Sequence, residues 1–493
     1  DPSPLIDHAE NENMTLSLEN IKNILSNCAD TKFHTFNINK NTNLKITIVY
    51  INGLVENSNI SDYIIKPLMQ EKNLEATGDI ATFIMENIIY YNNQTSRTDV
   101  NEVISDIING SVALILESEQ KAITCDVKGF DKRGIAEPSG ENVIKGSKDT
   151  FIEVMATNTA TLRRKIKTSN LSIEQSVIGK QTQTNISVIY LKNIANPGIV
   201  AELKTRLSKI DIDGIIGSGF IEENIIDNRY SIFPQIKFTE RPDTFAQHLL
   251  DGQVGILIEG YPNGIILPMT LNDLLKAPED YSQNFIISSF IRIIRNFSLF
   301  VSAFLPSLFL AIISFHHEMV PTKLLIAMQQ AKTGVPFPTI IEILFMLIAF
   351  EILLEGGLRL PKNIGQTISV VGAIVIGQAA VAASFVSPAV VIIVSLTGIC
   401  GFVIPNQDLS NAVRVIRFIT VFTSGTMGLF GFTIVFIFIF THLSSIECFG
   451  VPYLHPYVAN NEKEMFDALF RFPLNFFKER DSALKPINKK RQK

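Results

Sequence analysis

The chain has 493 residues, 46% of them apolar and 18% charged, with a mean hydropathy of +0.24. This length calls for about two to four domains, and the apolar share is above that of a purely water-soluble protein. A formal charge of -5 argues against a nucleic-acid binder, and four scattered cysteines without a C-x-x-C pair argue against a disulfide scaffold or a cysteine zinc site.

The opening stretch, DPSPLIDHAENEN, has neither a basic n-region nor an apolar h-region, so no secretory signal is expected there, and residues 1–29 read as an extension. A soluble α/β pattern then runs to about residue 285, and it contains a duplication. Ile46 to Val55 (ITIVYINGLV) resembles Ile186 to Ala195 (ISVIYLKNIA) at an offset of 140. Ser111 to Lys128 resembles Gln253 to Thr270 at an offset of 142. Segments returning in the same order at nearly the same offset mark a repeated unit, with lobes over 30–165 and 171–285. The β-branched runs predict buried strands, and Tyr261-Pro262-Asn263-Gly264 predicts a turn between two of them. Apolar spacing predicts a helix over Thr150 to Ile166 and another from Pro197 to Ile210. The glycine-rich stretch Gly129 to Lys148 reads as a surface connection. No phosphate loop or dinucleotide fingerprint is present, so the lobes read as a docking platform or as two sides of a shallow cleft.

Beyond residue 290 the composition changes. Phe297 to Phe315, Asn363 to Gln407 and Phe418 to Ile446 each lack Asp, Glu, Lys and Arg, and bilayer crossing takes roughly 20 apolar residues. Residues 290–446 therefore read as an all-α polytopic membrane domain, and 447–493 as a cytoplasmic amphipathic and basic tail. Taking 297–315, 339–357, 364–385, 387–405 and 418–441 as spans gives five; making the second re-entrant gives four. Arg292 and Arg295 before the first span, and Lys485 to Lys493 after the last, favour the inside for both ends.

Several strings in this chain closely resemble the A subunit of GerA-type spore germinant receptors. They are Gly260-Tyr-Pro-Asn-Gly, Pro278-Glu-Asp-Tyr281, Arg292-x-x-Arg295, Val335-Pro-Phe-Pro338, Glu355-Gly-Gly-Leu-Arg-Leu-Pro361 and Ile376-Gly-Gln-Ala-Ala380, with Thr239-Glu-Arg-Pro242 in the soluble part. One departure is Phe130, where members of that family often carry Trp. The resemblance implies a multi-pass protein of the spore inner membrane with a cytoplasmic N-terminal domain. It implies a nutrient-gated cation channel formed by a pentameric ring of A subunits, partnered by a transporter-like B subunit and a lipoprotein C subunit, and no cofactor.

Two constellations could serve such a channel. In Ile364 to Phe385, the residues Gln366, Ala373, Gly377, Ala380 and Ser384 fall within about 40° of one direction on a helix, and Ser369 joins an overlapping small-residue row. Such a stripe suits either close helix packing or the lining of a pore. In Thr339 to Gly357, Glu342, Glu351 and Glu355 interrupt an apolar helix, with Arg359 four residues after Glu355. A charge at the bilayer centre costs on the order of 3 kcal/mol or more, so these carboxylates need partners or water. Glu351, Glu355 and Arg359 share a face and read as an ion-pair network at a subunit or helix interface, as a cation-attracting vestibule, or as part of an in-plane surface helix; Glu342 lies about 180° from Glu351.

His316-His317 has no evident third metal ligand, so no metal site is expected. Gly425, Gly428 and Gly431 suit a bend or close packing of the last span, and Phe466, Leu469, Phe470, Phe476 and Phe477 suit an interfacial helix over Glu462 to Arg480. With no catalytic constellation, an enzyme is the least supported class. The rivals to a channel subunit are a related A-type protein that amplifies the response alongside the dipicolinate channel, a secondary transporter, and a membrane scaffold.

Overall fold

The computed structural model describes residues 15–38, 45–71, 79–91, 93–129, 146–359, 377–458, 465 and 467–492. The chain divides into two units. One holds Asp1–Ile226, Phe238–Pro268 and Phe477–Lys493; the other holds Asp227–Lys237 and Met269–Phe476.

In the first unit the first lobe runs α1 (Leu18–Ile24), β1 (Thr31–Asn37), β2 (Lys45–Ile51), α2 (Asn57–Ile60), α3 (Lys66–Gln70), α4 (Ile80–Asn87), β3 (Gln94–Arg97), α5 (Val100–Ile108), β4 (Val112–Leu116) and β5 (Lys121–Cys125). The sheet order is β1-β2-β4-β5-β3. The continuous apolar run of β4 is explained by burial on both faces. Val112, Leu114 and Leu116 join one core with α2 to α4, while Ala113 and Ile115 join the other with α1 and α5. Asp99 caps α5 through the amide of Asn101, and Val100, Val103, Ile104, Ile107 and Ile108 form its buried face.

The second lobe runs α6 (Met155–Lys165), β6 (Leu171–Ile178), β7 (Thr184–Leu191), α7 (Pro197–Ser208), α8 (Gly219–Ile225), β8 (Lys237–Thr239), α9 (Pro242–Asp251), β9 (Val254–Ile258) and β10 (Gly264–Leu267). It starts before the expected residue 171, because α6, the helix expected within 30–165, packs on α9 and β9. Its sheet order, β6-β7-β9-β10-β8, repeats the connectivity of the first. α6 packs on α9 as α1 packs on α5. α6 begins five residues later than the predicted Thr150, because the side chain of Asn158 bonds the backbone N–H and C=O of Ile152 and holds that segment extended. Phe245 of α9 lies flat on the sheet, where a Cβ on Gly255 or Gly264 would come within 2.0 or 2.6 Å of its ring.

The tail differs from its prediction. Residues 477–493 belong to the soluble unit, where Ile487 donates its N–H to Ile194 O at 2.9 Å and Arg491 pairs with Asp251 at 3.1 Å. Among the described residues of 462–480 no α-helix forms in place of the interfacial helix; 3-10 geometry stands at 465, at 467 and over Leu474–Phe476, and Phe466 lies outside the described residues.

The second unit is helical: α10 (Leu271–Leu275), α11 (Phe285–Phe315), α12 (Thr322–Lys332), α13 (Thr339–Arg359), α14 (Pro388–Phe402) and α15 (Gln407–Ser445). Leu310, Ile343, Leu347, Val390, Val394 and Val421 form its core. Polar side chains are buried beside them, including Ser302, Glu342, Arg417, Thr420 and Ser424. Large apolar side chains point outward at helical spacing: Phe290, Ile294 and Phe297 on α11, Ile341, Phe345, Ile348 and Ile352 on α13, and Ile392, Leu396 and Ile399 on α14. Charges buried beside an apolar core, with large hydrocarbon side chains also facing outward, depart from the polar exterior of a protein dissolved in water.

The span count needs correction. Among the described residues two helices, Phe285–Phe315 and Gln407–Ser445, are long and apolar enough to cross a membrane, against the four or five expected. Pro388 starts α14 and Phe402 ends it, so it has 15 residues and reaches about 22 Å, short of a bilayer core. α13 carries too many carboxylates to qualify. Of the expected span 364–385, residues 364–376 lie outside the described residues. α15 is interrupted at Gly428, whose φ of +61° and ψ of -142° break the helix. A Cβ there would also meet the Phe315 ring at 2.9 Å, so this glycine serves both bending and packing.

Candidate functional site: buried ion pairs of the helical unit

Glu351 reaches away from its own helix. Its carboxylate accepts from Arg414 of α15, with Nε at 2.7 Å and Nη2 also bonded, and Arg417 Nη1 stands 3.8 Å from the other oxygen. Arg417 is buried and donates from Nε and Nη2 to the carbonyl and hydroxyl of Ser302 on α11, each at 2.8 Å. Three helices are thereby tied by two cations and one anion. The network expected from sequence joined Glu351, Glu355 and Arg359 at a subunit or helix interface; the partners seen for Glu351 come from α15, where Arg414 and Arg417 are three residues apart and share a face. Glu355 is exposed on α13, while Arg359 ends that helix with its side chain outside the described residues. Sequence reasoning gave Arg414 and Arg417 no role at this site. Their spacing beside long uncharged runs was the available clue to a buried role.

Glu342, half a turn of phase away, is buried against other groups. It accepts the backbone N–H of Ser387 at 2.7 Å, just ahead of Pro388 at the start of α14, and lies 3.3 Å from Lys332 Nζ. A carboxylate at a helix N-terminus satisfies an amide without an intrahelical partner and interacts favourably with the helix dipole. This carboxylate caps α14 from a different helix.

The small-residue stripe is only partly visible. Gln366, Ser369 and Ala373 lie outside the described residues. Residues 377–382 are helical; a Cβ on Gly377 would sit 3.4 Å from Val391, and Ala380 joins the core with Val390. Ser384 leaves the stripe: it sits in a turn at φ +56°, past the helix end and four residues before Pro388.

A second cluster surrounds the base of α11. Asp280 accepts from Arg292 Nε at 3.0 Å and from Arg295 at 2.9 and 3.1 Å. Asp467 accepts from Arg292 at 2.7 Å and from the Tyr281 hydroxyl at 2.8 Å, with Lys276 Nζ at 3.1 Å. Tyr281 is flanked by the guanidinium groups of Arg292 and Arg471 at 5.5 and 5.4 Å. Burial pushes the Asp467 carboxyl up, but the Lys276 and Arg292 cations and the Tyr281 hydrogen bond outweigh it and hold the group at about 2. Burial pushes Lys276 down, and Asp467 more than reverses this. Arg292 and Arg295, read from the sequence as a signal for the inside, are buried and paired with carboxylates at the base of α11.

Among the described residues no group of three or more His, Cys, Asp or Glu could hold a metal. An open groove of about 680 Å³ lies within the second lobe, between β6 and the end of α7, and is lined by Glu174, Val177, Lys204 and Leu207.

The sequence profile of the family described as "Bacillus/Clostridium GerA spore germination protein" matches residues 19–483. The chain is 38% identical to "Uncharacterized membrane protein YfkQ" of Bacillus subtilis over 94% of this chain and 89% of that one. It is 36% identical to "Spore germination protein KA" of the same organism over 96% of this chain and 86% of that one. A crystal structure of the N-terminal domain of the A subunit of the Bacillus megaterium spore germinant receptor GerK3 is 32% identical, covering 50% of this chain and 92% of that one, at a TM-score of 0.39.

Proposed function

Because this chain belongs to the Bacillus/Clostridium GerA spore germination family, we propose that it is the membrane-embedded A subunit of a nutrient receptor in the spore inner membrane and forms, with further copies of itself, a cation channel. The reading includes a transporter-like B subunit and a lipoprotein C subunit as partners, a cytoplasmic soluble unit, and no enzymatic activity.

The observation that supports it most is the helical unit, with charges buried and large hydrocarbon side chains facing outward. Phe345, Ile348 and Ile352 face outward on the same helix that buries Glu342 and sends Glu351 to Arg414 and Arg417. Lipid accepts the first group, and the second is neutralised inside. Glu351 is held inside by Arg414 and Arg417, and Glu355 stands exposed on the same helix, where a carboxylate in contact with water can raise the local concentration of cations at a vestibule.

The test is potassium efflux from liposomes carrying the purified chain together with its B and C partners, alongside nutrient-triggered potassium release from spores lacking the gene. The reading expects efflux from the liposomes and loss of release from the spores. Tight liposomes and an unchanged spore response to every nutrient would overturn it.

A further inference from the structure

The two lobes of the soluble unit are joined through the edge of a sheet, and the duplication repeats both halves of that contact. The turn Asn27 to Asp30, which leads into the first lobe, lies along the outer edge of β6. Ala29 donates its N–H to Ile173 O, and Ile173 donates its N–H to Asn27 O, each at 2.9 Å. Cys28 and Ile173 form a parallel bridge. The turn itself is held by Thr31 N–H to Cys28 O at 2.9 Å and by Asn52 N–H to Asp30 O at 2.8 Å.

The same turn recurs 140 residues later at the entrance to the second lobe. There Leu171 donates its N–H to Thr168 O at 3.4 Å and Lys192 donates its N–H to Asn170 O at 2.9 Å. The receiving edge recurs too, since Ile173 stands opposite Ile189 on β7 and Phe33 stands opposite Val49 on β2. In an antiparallel pair alternate residues turn their backbone groups away from the neighbouring strand. Ile173 does so, and Phe33 at the equivalent register does the same. β1 ends its sheet. Among the described residues no backbone hydrogen bond joins the outer edge at Phe33 to the turn Lys167 to Asn170. An open edge of this kind is a template for another chain.

A twofold relation between the lobes would have placed Lys167 to Ser169 on Phe33 of the same chain. The internal contact instead runs one way, from the first-lobe turn to the second-lobe edge. A one-way contact between equivalent parts propagates, closing into a ring or continuing as a filament. We propose that the Lys167 to Asn170 turn of one chain pairs with the β1 edge at Phe33 of a second copy, so that lobes follow one another head to tail around the assembly.

In the equivalent contact, Ser169 N–H donates to Phe33 O, and Phe33 N–H donates to Lys167 O. The reinforcements of the internal joint are not duplicated. Gly53, which lets α6 approach closely, corresponds to Asn193, and the buried pair Arg163–Asp30 corresponds to Asn23 and Asn170. The contact between copies is thus a strand-edge pairing that separates more readily than the internal one. This proposal rests on the reading of the chain as an oligomeric subunit.

The test is disulfide trapping in the full-length protein in its membrane, where the native cysteines are buried. A chain carrying both Thr168→Cys and Phe33→Cys is expected to give a ladder of linked copies under mild oxidation, and each single variant none. Ile173→Cys, facing native Cys28, is the internal control and links within one chain. Ser169→Pro, which removes one edge donor and leaves Phe33 in place, is expected to lower the trapped fraction roughly tenfold when added to the double variant. If the double variant stays unlinked while the control oxidises and the solubilised protein is still oligomeric by mass, the edge contact is wrong and the oligomeric reading stands. If the protein is also monomeric, both fall. An undiminished ladder with Ser169→Pro likewise overturns the proposed pairing.

Discussion

Arg163 on α6 grips Asp30 with two hydrogen bonds, Nε at 2.8 Å and Nη2 at 2.9 Å, and both side chains are almost wholly out of water. One residue comes from the helix that opens the second lobe and the other from the turn that opens the first, so this pair locks the joint between the lobes. Removing one partner strands a buried charge. Arg163→Ala is expected to destabilise the soluble unit by about 3–5 kcal/mol, read by denaturant unfolding of the solubilised protein. Asp30→Leu combined with Arg163→Met is expected to recover much of the loss.

The Asp467 cluster carries a pH dependence of known sign. Its folded value of about 2 lies below the ordinary 3.8. Its contribution is therefore complete above the ordinary value and disappears as pH falls through about 2. The linkage is worth about 2 kcal/mol. Melting temperature followed from neutral to acid pH is expected to fall more steeply for the wild type than for Asp467→Asn, and the two curves are expected to converge at the acid end.

Gly255 has no room for a side chain, since a Cβ there would stand 2.0 Å from the Phe245 ring. Gly255→Ala is expected to cost about 1–3 kcal/mol through displacement of that ring. Adding Phe245→Leu is expected to restore part of the loss in the same unfolding measurement.

The cap that Glu342 places on α14 separates two variants. Glu342→Gln keeps an acceptor for the Ser387 amide and gives up the ion pair with Lys332. Glu342→Ala gives up both and is expected to cost about 1–3 kcal/mol more than the glutamine variant, measured as thermal stability of the solubilised protein.

Glu351 and Glu355 are expected to behave differently when neutralised. Glu351→Gln leaves Arg414 and Arg417 without their anion, so lower abundance in the membrane is expected, visible by immunoblot. Glu355→Gln, on an exposed position, is expected to accumulate normally and to shift the reversal potential between cations and anions in reconstituted membranes. Unchanged selectivity with full accumulation would remove Glu355 from the ion path.

Short-range pattern made part of this molecule readable in advance. The repeated strings at 140 and 142 became β2 with β7 and β4 with β9, at matching places in two sheets of one connectivity. Such runs are legible because side-chain alternation and β-branching act over a few residues. The charges were less legible. Glu351, Glu355 and Arg359 share a face by arithmetic, yet Glu351 found Arg414, 63 positions away.

The order and periodicity of the residues determined that this chain would hold a doubled α/β unit and a stretch too apolar for water, since strand alternation, helical phase and the length of an uncharged run are properties of neighbours. Tertiary structure alone decided which cation answers each carboxylate, that the last residues return to the soluble unit, and that Arg292 and Arg295 are buried at a helix base. An ion pair forms wherever packed elements bring opposite charges within about 4 Å in a medium that screens them weakly, and no local pattern records which distant element will arrive there.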